Sequence, residues 1–153
     1  MESNFFDQAE FAENPEPRCP VVLVLDTSGS MAGKAIEELN EGLRAFGAAI
    51  KADRLASLRV EVAVVAFGGK VRAIDVRAPE NREETNEVVL FNPMGLSIRP
   101  KPKEVAFDAH QAFVTADQFL PPVLDPSGET PLGEAVSRAL ALLRERKEIY
   151  KQN

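Results

Sequence analysis

The chain has 153 residues, which by the usual prior of about 100–200 residues per domain means one domain with a real core rather than two. Hydrophobic residues at 44% and charged residues at 27% exclude collagen-like and wholly disordered behaviour. Eighteen basic against 24 acidic residues leave a net charge of −6, which argues against a nucleic-acid partner.

Residues 1–20 read as an acidic arm. Residues 1–18 hold five carboxylates against Arg18 alone, so most of the net charge sits on a short segment. Its phenylalanines, Phe5, Phe6 and Phe11, either belong to a frayed terminus or dock on the body or a partner. No basic-then-apolar leader opens the chain and no apolar run approaches the ~18 residues of a membrane span, so no membrane partner is expected. The single cysteine, Cys19, forms no internal disulfide, reads as a half-buried small hydrophobe, and agrees with a reducing, cytoplasmic address.

Val21 to Leu25 is a continuous β-branched and leucine run ending at Asp26, the pattern of a central parallel strand covered on both faces. Ile36, Leu39, Leu43, Phe46 and Ile50 then recur at helical spacing, which predicts an amphipathic helix over 32–52. Leu58 to Phe67 reads as a second strand. Gly68-Gly69 follows as a turn, and Val71 to Val76 as a hairpin partner at the sheet edge. Strand, helix, strand with apolar strands means an α/β layered fold. From about 79 to 111 prolines break the pattern. The stretch reads as insertion-like, yet a loop this long should hold some strand or helix. Pro121 to Thr130 is a loop by composition, and a helix is predicted from Pro131 to about Tyr150, with Leu132, Val136, Ala139, Leu140 and Leu143 inward.

The informative motif is Asp26-Thr27-Ser28-Gly29-Ser30-Met31, placed where an apolar strand ends and a helix begins. In open α/β sheets that carboxyl end is where ligands sit. Asp26, Ser28 and Ser30 alternate, so a tight loop can turn a carboxylate and two hydroxyls toward one point. Such hard oxygen donors suit Mg2+ or Mn2+ and suit zinc or copper poorly. With so little negative charge, the ion would want another carboxylate. Singly, each residue has a bland reading: Ser30 and Thr130 as helix caps, Asp26 as a partner for loop amides.

VVLVLDTSGSM resembles the metal-ion-dependent adhesion site of the von Willebrand factor type A family, whose signature is Asp-x-Ser-x-Ser after the first strand. Ser127 to Gly133 (SGETPLG) resembles the family's second loop and puts Thr130 in the metal-binding role. Bacterial cytoplasmic single-domain members, of the tellurium-resistance and stress-response type, are similar through ENPEPRCP, FVTADQF and TPLGEAV. The resemblance implies a three-layer Rossmann-like αβα fold over 21–153. It also implies a Mg2+ held directly by Ser28, Ser30 and Thr130, with Asp26 acting through water and a coordination position open to an Asp or Glu of a protein partner. Catalysis is not expected.

Two departures stand against it: a missing aspartate, and the stretch from about 79 to 111, which is much shorter in those bacterial members. The family's further aspartate, in a Thr-Asp-Gly pattern after a fourth strand, is absent from the sequence. With the arm and the stretch 79–111 set aside, 100 residues remain, about three strand-plus-helix units of ~30 residues. The expectation is therefore the N-terminal part of such a fold, with the first strand and the last helix incompletely covered and open to self-association through the sheet edge. A degenerate domain without metal, acting structurally, is the first alternative. A Mg2+-dependent phosphohydrolase is the second, but Ser28 stands where it would need a second carboxylate. His110, the lone histidine, reads as a surface residue, and Arg99, Lys101 and Lys103 as a solvated loop.

Overall fold

The computed structural model describes residues 14–77 and 102–153. The arm's phenylalanines, the cations Arg99 and Lys101, and most of the insertion-like stretch lie outside the described residues. The chain forms a mixed α/β structure, with a five-stranded sheet among the described residues. Strand β1 (Cys19–Asp26) pairs in parallel with β2 (Val60–Gly68), from Cys19 opposite Val60 to Asp26 opposite Phe67. The other side of β2 is shared. Its second half takes β3 (Lys70–Ile74) as an antiparallel hairpin, and Glu61 and Val62 take β5 (Val114–Thr115). Strand β4 (Glu104–Val105) pairs with β3, which is therefore not the outermost strand that its sequence suggested.

Helix α1 (Lys34–Ala52) begins eight residues after Asp26, behind the short 3-10 turn Gly29–Met31. It buries Ile36, Leu43 and Ile50 as the spacing predicted, together with Asn40 and Gly47, whereas Leu39 and Phe46 are only half-buried. Asn40 is inside because its side-chain amide exchanges two hydrogen bonds with the backbone of Leu124, at 2.9 and 2.8 Å, and so fixes the loop after β5. The second strand starts later than its apolar run. Asp53 Oδ1 accepts from the amides of Leu55 and Ala56 at 2.9 and 2.7 Å, an N-cap that nucleates a short helix α2 (Arg54–Arg59) and keeps Leu58 out of the sheet. Within 79–111 the expected order is present in part, as β4 and the start of α3 (Ala109–Ala112), which is capped by Asp108.

Side chains of β2 alternate between two cores. Val62, Val64 and Ala66 pack with Ile36, Leu43 and Ile50 of α1, while Ala63, Val65 and Phe67 pack with the last helix, α4 (Leu132–Gln152). Helices thus cover both faces of the sheet. Residues 61–68 of β2 are all buried, yet Val21 to Asp26 of β1 are only partly so, because among the described residues no strand lies along the other edge of β1. Cys19, at the start of that edge, is exposed rather than half-buried. His110 is exposed, as its sequence suggested.

Helix α4 buries Ala139 as expected and half-buries Leu143, but the rest of its inward face differs from the one expected. Ala135, Ala139, Leu142, Arg146 and Ile149 are buried, while Leu132, Val136 and Leu140 are 53%, 41% and 46% exposed. The helix carries two apolar stripes roughly 100° apart, one residue step at 3.6 per turn, and periodicity alone cannot choose between them. Ala135 and Ala139 let the backbone approach β1 and β2 closely, and a buried ion pair settles the rotation. Glu61, fully buried on β2, accepts from Arg146 Nε at 2.7 Å and from the Tyr150 hydroxyl on the same Oε2. Arg18 Nε stands 3.8 Å from Oε1, an ion pair too long for a hydrogen bond.

Burial alone would lower the pKa of Arg146, but the hydrogen bond and charge of Glu61 outweigh it and hold the guanidinium firmly protonated. Burial, reinforced by the bond to Glu61, raises the Tyr150 phenol well above its ordinary value. The end of the arm docks at the same pole. Asn14 Nδ2 donates to the Leu58 carbonyl at 2.6 Å, and Glu16 takes a two-pronged contact from Arg59 at 2.9 and 3.0 Å.

Candidate metal centre

Three loops meet at the carboxyl end of β1, and backbone hydrogen bonds weave them together. The Thr27 amide donates to Phe67 O at 2.8 Å, continuing the β1–β2 pairing, and the Thr27 carbonyl accepts from Ser127 at 2.7 Å. Gly29 donates to Gly128 O at 2.9 Å, and Gly69 donates to Glu129 O at 2.9 Å. The strand-end motif, the hairpin turn and the loop before α4 are therefore one unit, although they are up to a hundred residues apart in sequence.

Two glycines permit this approach. A Cβ on Gly68 would come within 2.2 Å of Thr27 O and 2.7 Å of Ser127 O, so any side chain there would push two of the loops apart. Gly128 has φ of 76°, a left-handed conformation, and a Cβ on it would meet Gly69 Cα at 2.4 Å. Neither glycine is itself a ligand candidate, although Gly128 lies within the SGETPLG loop that resembles the family's second loop. The only signal in the sequence was that each lies in a predicted turn or loop.

Within this frame, Asp26 Oδ1 accepts the Ser28 amide at 2.8 Å, which folds the loop back on itself, and Ser28 Oγ lies 3.0 Å from Ser30 Oγ. Ser28 is 1% exposed, Asp26 half-buried and Ser30 exposed, so the group runs from the core to the surface. The structure thus brings together three of the four sequence-derived residues, Asp26, Ser28 and Ser30. Thr130 is exposed, and its loop is bound to theirs through Gly128 and Glu129. Among the described residues no side-chain hydrogen bond joins Thr130 to the other three.

The capping readings do not account for these hydroxyls. Ser28 occupies the cap position of the 3-10 turn without making a side-chain cap bond, and Ser30 lies inside that turn. Pro131, not Thr130, caps α4, and it does so without a side-chain bond. Thr27 Oγ1 is buried without a hydrogen-bond partner among the described residues, an unsatisfied polar atom directly beside the motif.

The donor chemistry fits a small hard cation. Ser28 Oγ and Ser30 Oγ share a hydrogen bond at 3.0 Å, a separation that adjacent corners of an octahedron with oxygens at 2.0–2.1 Å would also show. Among the described residues no three His, Cys, Asp or Glu side chains gather as ligands, so this set is hydroxyl-rich with a single carboxylate. Among the described residues no helix is long and apolar enough to cross a membrane. Comparison of the chain with protein-family models, with curated proteins and with solved structures finds no match.

Proposed function

We propose that the chain is a divalent-cation-dependent protein-interaction module of the von Willebrand factor type A kind, with the Rossmann-like sheet order of that family. Ser28 and Ser30 would hold Mg2+ directly, Thr130 would join them from the second loop, and Asp26 would orient the loop and hold metal-bound water. The observation that carries this reading is the pair of serine hydroxyls at octahedral-edge spacing beside a carboxylate, at the carboxyl end of a parallel strand.

The partner's chemistry follows from charge. One carboxylate and neutral hydroxyls leave a doubly positive ion undercompensated, so an Asp or Glu side chain from a protein partner is the favoured ligand for an open position. Mn2+ would substitute, since it accepts the same oxygen donors. No catalytic step is assigned.

Calorimetric titration of Mg2+ or Mn2+ into the purified chain tests the reading. Saturable heat in the wild-type chain, lost in the Ser28→Ala/Ser30→Ala variant of unchanged circular dichroism, is the expected result. No heat at millimolar metal would sink it. A second reading draws on the Asp26–Ser28 bond: the motif serves only as a structural lock for three loops, with its carboxylate already engaged. On that reading Asp26→Ala would lower the melting temperature while Mg2+ left the wild-type melting temperature unmoved.

A further inference from the structure

The segment that leads into β1 is held by alternate side chains. Asn14, Glu16 and Arg18 are half-buried against the body, while Pro15 and Pro17 between them are exposed. The two prolines favour an extended backbone and offer no N–H to lengthen the sheet, so side chains do the holding. They act in series. Glu16 Oε2 accepts from Nε and Nη2 of Arg59 at 3.0 and 2.9 Å. Asn14 Nδ2 and Arg18 Nη1 donate to the Leu58 carbonyl at 2.6 and 3.2 Å, and Arg18 Nε stands 3.8 Å from Glu61 Oε1.

The series runs from solvent to core. Side chains of the Glu16–Arg59 pair are 35% and 39% exposed, whereas that of Arg18 is 7% exposed and that of Glu61 fully buried. The inner link is also the weakest contact of the Glu61 carboxylate. Arg146 Nε and the Tyr150 hydroxyl both bond Oε2, and Arg18 faces the other oxygen as an ion pair without a hydrogen bond between them. Withdrawal of Arg146 would strand a buried carboxylate. Withdrawal of Arg18 leaves Glu61 bonded to the last turns of α4 but opens its second oxygen to water. Water there raises the local dielectric, and the bonds from Arg146 and Tyr150 weaken because their strength depends on its exclusion.

We propose that residues 14–18 form a latch on the last turns of α4: opening its exposed outer pair, Glu16–Arg59, withdraws Arg18 from Glu61 and loosens the helix end. The opening is local, a partial unfolding of one pole rather than of the whole fold. The loops at the carboxyl end of β1 lie at the opposite pole and take no part.

Ionic strength acts on the latch from outside. A pair as exposed as Glu16–Arg59 is screened by salt, while the buried contacts of Arg18 and Arg146 with Glu61 are screened much less. The outer pair therefore sets how often the latch opens, and the buried cluster sets what the opening changes.

Native-state amide exchange of the full chain, read residue by residue, is the test. Glu16→Lys turns the outer attraction into repulsion and should speed exchange at residues 146–150 about two- to fivefold, the factor an exposed ion pair contributes. The amides of 28–30 and 127–130 should be unchanged. Exchanging the charges, Glu16→Arg together with Arg59→Glu, should restore the wild-type rates. Added NaCl should speed the same α4 amides in the wild-type chain and leave them unmoved in Glu16→Gln. Acceleration spread evenly over all amides would mean only a less stable fold and would overturn the latch. So would an α4 end that exchanges alike in Glu16→Lys and wild type, or a charge exchange that restores nothing. A wild-type α4 end indifferent to salt would overturn it without any substitution.

Discussion

The two ends of the β1–β2 pair are built from opposite kinds of polar group. At the amino end, the guanidinium groups of Arg146 and Arg18 and the neutral hydroxyl of Tyr150 gather around the buried Glu61 carboxylate. At the carboxyl end, a half-buried aspartate and two serine hydroxyls stand in a frame held almost wholly by backbone hydrogen bonds. The contrast separates holding from binding. At the amino end charged side chains fix the fold by pairing with one another, whereas at the carboxyl end the backbone does most of the fixing.

Substitutions at each end should sharpen that contrast. Glu61→Ala leaves two arginines without their shared partner inside the fold, and it is expected to cost about 3–5 kcal/mol, read by denaturant unfolding, the largest single loss in the molecule. Gly68→Ala and Tyr150→Phe come next, with losses of similar size. The Cβ added at Gly68 would collide with the backbone of Thr27, and the strain of parting the loops should cost about 1–3 kcal/mol and weaken Mg2+ binding as well, although Gly68 would touch no metal.

Tyr150→Phe removes one hydrogen bond to a buried carboxylate, a loss of about 1.5–3 kcal/mol. It also carries a pH signature. The phenol's pKa is raised in the folded chain, so its neutral form stabilises the fold fully below its unfolded value of about 10 and loses that contribution as the pH rises further. Thermal melts of wild type and Tyr150→Phe should therefore converge at strongly alkaline pH. The smallest effect is expected at Thr27→Val, which removes the unpartnered buried hydroxyl and should leave stability unchanged or raise it by about 1 kcal/mol. A large loss there would show that the hydroxyl has a partner and that this end is more saturated than described.

The sequence reading and the structure agree where a signal is local. The run Val21 to Leu25, the helical spacing from Ile36 to Ile50 and the hairpin at Gly68-Gly69 each depend on near neighbours, and each appears close to its expected place. Asp-x-Ser-x-Ser was likewise legible, because all three side chains belong to one turn. What was missed depends on distant partners. Glu61 within Val60 to Val65 looks like the polar member of an alternating strand, and only Arg146, 85 residues later, explains its burial. That same bond decides which stripe of α4 faces inward. The convergence of Gly68, Gly128 and Thr27 is a meeting of backbones, which leaves no periodic trace in the side chains.

The central claim is that the carboxyl end of β1 holds a divalent cation. It is tested most directly by adding Mn2+ to the isotope-labelled chain and following paramagnetic broadening of its amide resonances. The account predicts saturable broadening centred on Ser28 and Ser30, extending to the 68–69 turn and the 127–130 loop, and reversed by excess Mg2+. Broadening spread over the exposed carboxylates with these amides untouched would contradict it.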